Sequence, residues 1–149
     1  MKNDDVRLKF YTPQLEPIEV PYFNSGVPAG FPSPAADFEE DRISFDKIVF
    51  GNKISTKFVV KVEGNSMRGA CIQDQDLIVV DKSLKPKTNM IAVCLLNGEF
   101  TLKRLKIEKK CVWLVPENPE YDAIQVNDNE QIKILGIVTH SLHDHLKNL

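Results

Sequence analysis

From Lys57 onward the apolar residues fall into short runs rich in β-branched side chains. These are Phe58-Val59-Val60-Lys61-Val62, Leu77-Ile78-Val79-Val80, Met90-Ile91-Ala92-Val93-Cys94-Leu95, Phe100-Thr101-Leu102-Lys103, Val112-Trp113-Leu114-Val115 and Ile132-Lys133-Ile134-Leu135-Gly136-Ile137-Val138. Runs of this length and composition, bounded by turn residues, predict strands. Asn97-Gly98 lies between the third and fourth runs. It is the preferred two-residue hairpin turn, because both central positions take positive φ. The pattern predicts a mostly β, compact domain of short, mainly antiparallel strands. No internal repeat is visible.

Residues 1–45 read differently. Pro13, Pro17, Pro21, Pro28, Pro32 and Pro34 interrupt them, and Gly26 and Gly30 bracket Val27-Pro28-Ala29. Proline removes a backbone donor and fixes φ, which disfavours both helix interior and sheet ladder. The expectation is an extended, flexible N-terminal arm over 1–45, followed by a β-rich domain over 46–149. Within the arm, Ser33 as N-cap and Pro34 in the first turn predict a short helix over Ala35–Arg42. Ile43–Ile48 is compatible with strand or turn.

A chain of 149 residues accommodates one domain plus such an arm. Its net charge of −2 offers no broad attraction to nucleic acid, and sequence-specific DNA binding is not expected. No apolar run approaches the ~20 residues that span a bilayer. No signal segment follows Met1-Lys2-Asn3-Asp4-Asp5, so a cytoplasmic location without membrane association is expected. Cys71, Cys94 and Cys111 are odd in number and widely spaced, as reduced and mostly buried small hydrophobes would be. His140, His143 and His145 are read as an incidental group in a polar tail, with no metal expected. The basic run Lys103–Lys110 is read as a strand and turn with one solvated side.

Two residues suggest chemistry. Ser66 follows Gly64 in Val62-Glu63-Gly64-Asn65-Ser66-Met67, where a tight bend at the glycine would expose its hydroxyl at a strand end. Lys103 shares a strand face with Thr101, Leu105 and Ile107 by alternation. A serine needs a base, and a lysine serves only when apolar burial makes it neutral. The amides of Asn65 and Ser66 are candidates for holding an oxyanion. Taken alone, these residues are more often a turn serine and a solvated strand lysine. Upstream, Ala29-Gly30 is the only Ala-Gly bond in the chain and joins two small residues in the arm, of the kind an extended substrate presents to a nucleophile.

Taken together, the Ser66-Met67 block, Asp76-Leu77-Ile78-Val79-Val80-Asp81, Gly98-Glu99-Phe100-Thr101-Leu102-Lys103 and the Ala29-Gly30-Phe31-Pro32 segment resemble the LexA-like self-cleaving Ser/Lys peptidase family. The likeness runs from about Phe23 to His140 and points to the mutagenesis proteins of the bacterial SOS response. It implies that Ser66 is the nucleophile and Lys103 the general base, with self-cleavage at Ala29-Gly30 and no cofactor. Met67 matches the motif and is expected to pack beneath the nucleophile. The resemblance also implies a homodimer, cleavage stimulated by the RecA filament on single-stranded DNA, and a trimmed form that joins a UmuC-type translesion DNA polymerase. Before Pro28 there is neither the length nor the periodicity of a helix-turn-helix domain. A non-cleaving dimeric binding module of the same fold, or a regulator lacking its DNA-binding domain, are the alternative readings.

Overall fold

A computed structural model describes residues 8–11, 19–23, 29–30, 40–127 and 131–147. In chain order the elements are β1 (Leu8–Tyr11), β2 (Glu19–Phe23), β3 (Glu40–Ser44), helix α1 (Phe45–Phe50), β4 (Lys57–Val62), β5 (Leu77–Asp81), β6 (Ile91–Leu96), β7 (Glu99–Ile107), β8 (Cys111–Val115), β9 (Ile124–Asn127) and β10 (Ile132–Leu142). They form two compact units. Residues 1–13 and 53–149 make the larger one, and residues 14–52 the smaller.

The larger unit is one eight-stranded sheet in the order β1-β4-β5-β10-β6-β7-β8-β9, with every neighbouring pair antiparallel. The expected mostly β, antiparallel fold is what the structure has. Strand β10 holds the sheet together: its first half pairs with β6 and its second with β5, with register shifts between Ile134 and Gly136 and between Val138 and His140. Such irregularities bend a strand and increase its twist. The sheet therefore curls, so that Phe10 of β1 meets Phe58 of β4 and also Phe100 of β7, with ring centroids 5.6 and 5.0 Å apart.

Curling produces two apolar cores. Val60, Val62, Met67, Ile72, Ile78, Val80, Val93 and Leu102 form the first, drawn from β4 to β7. Ala92, Cys94, Leu105, Leu114, Val126 and Ile137 form the second. Strand β7 serves both, so Thr101, Leu102, Lys103 and Leu105 are all buried despite pointing to alternate faces. The Asn97-Gly98 hairpin has the expected positive φ values of 49° and 85°.

In the smaller unit β2 pairs with β3, placing Pro21 opposite Arg42. Each strand of a two-stranded ribbon is an edge, where a missing N–H is tolerated. The Arg42 amide instead donates to the Asp41 carboxylate at 2.8 Å, and its guanidinium to the Glu19 carbonyl at 2.9 Å. Gly51, at φ 58°, ends α1 with a bond from its amide to the Lys47 carbonyl.

Several expectations change. The helix over Ala35–Arg42 is not found at its C-terminal end, because Glu40–Arg42 belong to β3 and 35–39 lie outside the described residues. Ile43 and Ser44 close β3, whereas the stretch from Phe45 to Ile48 belongs to α1. Proline density did not preclude pairing in residues 1–45, since β1 joins the main sheet along β4. Of the cysteines only Cys94 is buried; Cys111 is half-buried and Cys71 exposed. His140 is no part of a polar tail but lies on β10. Among the described residues no helix is long and apolar enough to cross a membrane.

Gly136 lies where β10 passes close against β5. A Cβ there would lie 2.6 Å from Val80 Cγ1 and 3.0 Å from the Asp81 carbonyl oxygen. Gly136→Ala is expected to destabilise the fold by about 1–3 kcal/mol through overpacking, read as a lower urea midpoint. Gly30→Ala, with open space around it, should leave the midpoint unchanged.

Candidate active site

The β4–β5 connection begins with two backbone bonds: the Val62 amide donates to the Asp76 carbonyl at 2.8 Å and the Gln75 amide to the Val62 carbonyl at 2.7 Å. Gly64 then takes φ 103°, a region closed to most side chains, and its amide donates to Asp74 Oδ1 at 2.7 Å. The bend turns the chain inward rather than outward. Ser66 and Met67 are each 1% exposed, and Met67 joins the first core as expected. The expected exposure of the serine hydroxyl is therefore corrected.

This turn is held by the segment after β8. The Glu117 amide donates to the Ser66 carbonyl at 2.9 Å, and the Gly69 amide to the Glu117 carbonyl at 2.7 Å. Buried Asn118 donates through Nδ2 to the Asn65 carbonyl at 3.0 Å, and Tyr121 Oη donates to Asn65 Oδ1 at 2.9 Å. The carbonyls of the turn are thus engaged. The amides of Asn65 and Ser66 donate to no acceptor among the described residues, and neither does Ser66 Oγ have a partner there. Buried polar atoms nearly always find partners, so an orphaned hydroxyl beside open amides is characteristic of a site built for something else to enter.

Lys103 is also 1% exposed, which excludes a solvated strand lysine. It pairs with Ala92, and Thr101 with Cys94, so its face is that of the second core. The lysine Nζ donates to Thr101 Oγ1 at 2.9 Å and to the Leu102 carbonyl at 3.2 Å. Burial pulls its pKa down from 10.5 to about 8, so a sizeable fraction is neutral under mildly alkaline conditions.

The two residues come from distant elements but share a scaffold. Arg104, next to Lys103, donates through Nε to Glu117 Oε1, and Glu117 carries the Ser66 carbonyl. A cleft of about 480 Å³ next to Glu117 is lined by Gly69, Pro116, Glu117, Asn118, Pro119 and Tyr121, among others, and neither Ser66 nor Lys103 is part of its lining. Ala29 and Gly30 are exposed and lie in the smaller unit. Glu117, Asn118, Arg104 and Tyr121 escaped the sequence reading. Only Pro116-Glu117-Asn118-Pro119 carried a signal, and it signalled merely a turn. His143, read as incidental, instead contacts buried Asp76 through Nδ1 at 2.5 Å. Among the described residues no group of side chains is arranged to hold a metal ion.

Comparison with known proteins shows the family. Residues 21–139 match the Peptidase S24-like family. The chain is 36% identical over 138 residues to protein SamA of Salmonella typhimurium, covering 91% of this chain and 95% of that one. It is 35% identical over 127 residues to protein MucA of Escherichia coli, covering 85% and 86% respectively. With the LexA repressor of Acidithiobacillus ferrooxidans it shares 37% identity over 115 residues, covering 75% of this chain and 55% of the repressor.

A lysine with a folded pKa near 8 and an ordinary value of 10.5 affects stability in a defined direction. Between these values the unfolded chain binds more protons, so stability rises with pH across that window. Below pH 8 the buried charge is a standing cost. Lys103→Met is therefore expected to raise unfolding free energy at pH 7 by on the order of 2 kcal/mol. Urea titrations across a pH series should show the advantage shrinking from about pH 8 to 10.5.

Proposed function

The chain belongs to the Peptidase S24-like family, and from that premise we propose that it is a serine peptidase that cuts its own Ala29-Gly30 bond with Ser66 and Lys103. The observation that carries this reading is the combination of a buried serine hydroxyl without a partner and a buried lysine whose pKa is lowered to about 8. Neutral Lys103 takes the Ser66 proton, and Oγ attacks the Ala29 carbonyl carbon. The amides of Asn65 and Ser66 stabilise the resulting oxyanion. Collapse expels the Gly30 amine, which takes the proton from Lys103. Water, losing a proton to the now neutral Lys103, then attacks the Ala29 acyl carbon, and Ser66 Oγ leaves and takes that proton back.

In this reading residues 1–45 are the arm that bears the substrate bond, and 46–149 supply the peptidase. Tethering supplies a high effective concentration of that bond, so a modest catalytic pair suffices. The UmuD-like relatives SamA and MucA support placing the activity in the cytoplasmic SOS response. There the chain acts as a homodimer, the RecA filament on single-stranded DNA stimulates cleavage, and the trimmed form serves a UmuC-type translesion polymerase.

Mass spectrometry of purified protein with and without RecA filaments tests this. The expected fragments end at Ala29 and begin at Gly30, and the unstimulated rate climbs as pH passes through about 8, the pKa of Lys103. Ser66→Ala and Lys103→Arg should each slow cleavage roughly a thousandfold or more, since one lacks the nucleophile and the other a base that can lose its proton. A large fragment starting elsewhere would reject the cleavage site. An active Lys103→Arg protein would reject the base.

A further inference from the structure

We propose that Glu117 and Arg104 are positioning residues that lock the nucleophile's turn to the strand carrying the base; this rests on the peptidase reading above. Glu117 contacts the turn with its backbone and β7 with its side chain. Its amide donates to the Ser66 carbonyl, its own carbonyl accepts from Gly69, and its carboxylate accepts from Arg104 Nε. Arg104 reaches a third point, donating through Nη1 to the Asn89 carbonyl at 2.6 Å. The Asn89 amide in turn donates to the Leu105 carbonyl at 2.8 Å. Strand β7 is thereby gripped at the two residues immediately following Lys103.

Gly69 gives independent evidence that the backbone half of this clamp is tight. Its φ is unremarkable, but a Cβ there would stand 2.5 Å from the Glu117 carbonyl oxygen. Only a residue without a side chain lets the turn lie directly against the Glu117 peptide. The charged half is of a different character. The Arg104 and Glu117 side chains are 31% and 30% exposed, and partly exposed ion pairs contribute little to stability. Alternation also places Arg104 on the opposite face from Lys103, so removing the pair need not hydrate the amine. By contrast, a displacement of about 1 Å between reacting groups slows a reaction by about a hundredfold. The pair therefore matters chiefly for alignment.

The test is the RecA-independent self-cleavage rate of the full chain across pH, with urea midpoints measured alongside. Glu117→Gln keeps both backbone bonds and Arg104→Met removes the cation. Each is expected to lower the alkaline plateau about 10- to 100-fold. The pH midpoint near 8 and the urea midpoint should stay in place. The double variant should be no slower than the slower single one, because both changes break the same link. Gly69→Ala, which pushes the Glu117 carbonyl away while sparing the ion pair, should slow cleavage as well. Wild-type plateau rates in Glu117→Gln, additive losses in the double variant, or rate losses matched by falling urea midpoints would each overturn the clamp alone. A wild-type chain that never cleaves, or whose Ser66→Ala variant cleaves equally well, would overturn the peptidase reading and the clamp together.

Discussion

An ammonium group removed from water loses hydration worth several kcal/mol unless a counter-charge or a proton loss compensates. Lys103 is in this position. The partners named for its Nζ are a threonine hydroxyl and a backbone carbonyl, both neutral. Its neighbour across the ladder is Ala92, and burial lowers its pKa. The remaining architecture serves this desolvation. A flat sheet would leave one face of β7 wet. Because the sheet curls about β10, both faces of β7 are covered and a lysine in its middle loses its water.

Ser66 is subject to the complementary constraint. Its turn gains no regularity from secondary structure, yet its carbonyls are taken up by the segment after β8. That leaves its donors, two amides and a hydroxyl, unengaged among the described residues. An arrangement with satisfied acceptors and open donors suits a group that brings acceptors of its own, as the proposed reaction would. Glu117 links this turn to β7, so the two constraints meet at one residue.

Much of the β architecture was legible because it is local. Period, β-branching and the Asn97-Gly98 turn each act within a few residues, and β4 to β8 follow them closely. Short strands were missed where the signal was ambiguous: β2 contains Pro21, and β9 has only Ile124 and Val126 as apolar residues. The burial of Lys103 was half visible, since alternation gave it an apolar face but could not show that curling covers the other. Ser66 was expected outside and is inside, because its burial depends on Glu117 and Asn118 closing over the turn. No local pattern announces such contacts. His143 with Asp76 belongs to the same class, joining the chain's end to the β4–β5 connection.

The order of the strands carries a consequence for the life of the molecule. In the sheet β10 lies between β5 and β6, although it comes last in chain order among the described strands. Until it arrives, the two cores have no common wall and β7 has no closed environment to desolvate its lysine. Contacts spanning so much of the chain form late, after loop-closure entropy has been overcome. A partly synthesised chain thus holds an ordinary, fully protonated lysine and an ordinary serine. The environment that buries Lys103 is therefore completed only when β10 has paired on both of its edges.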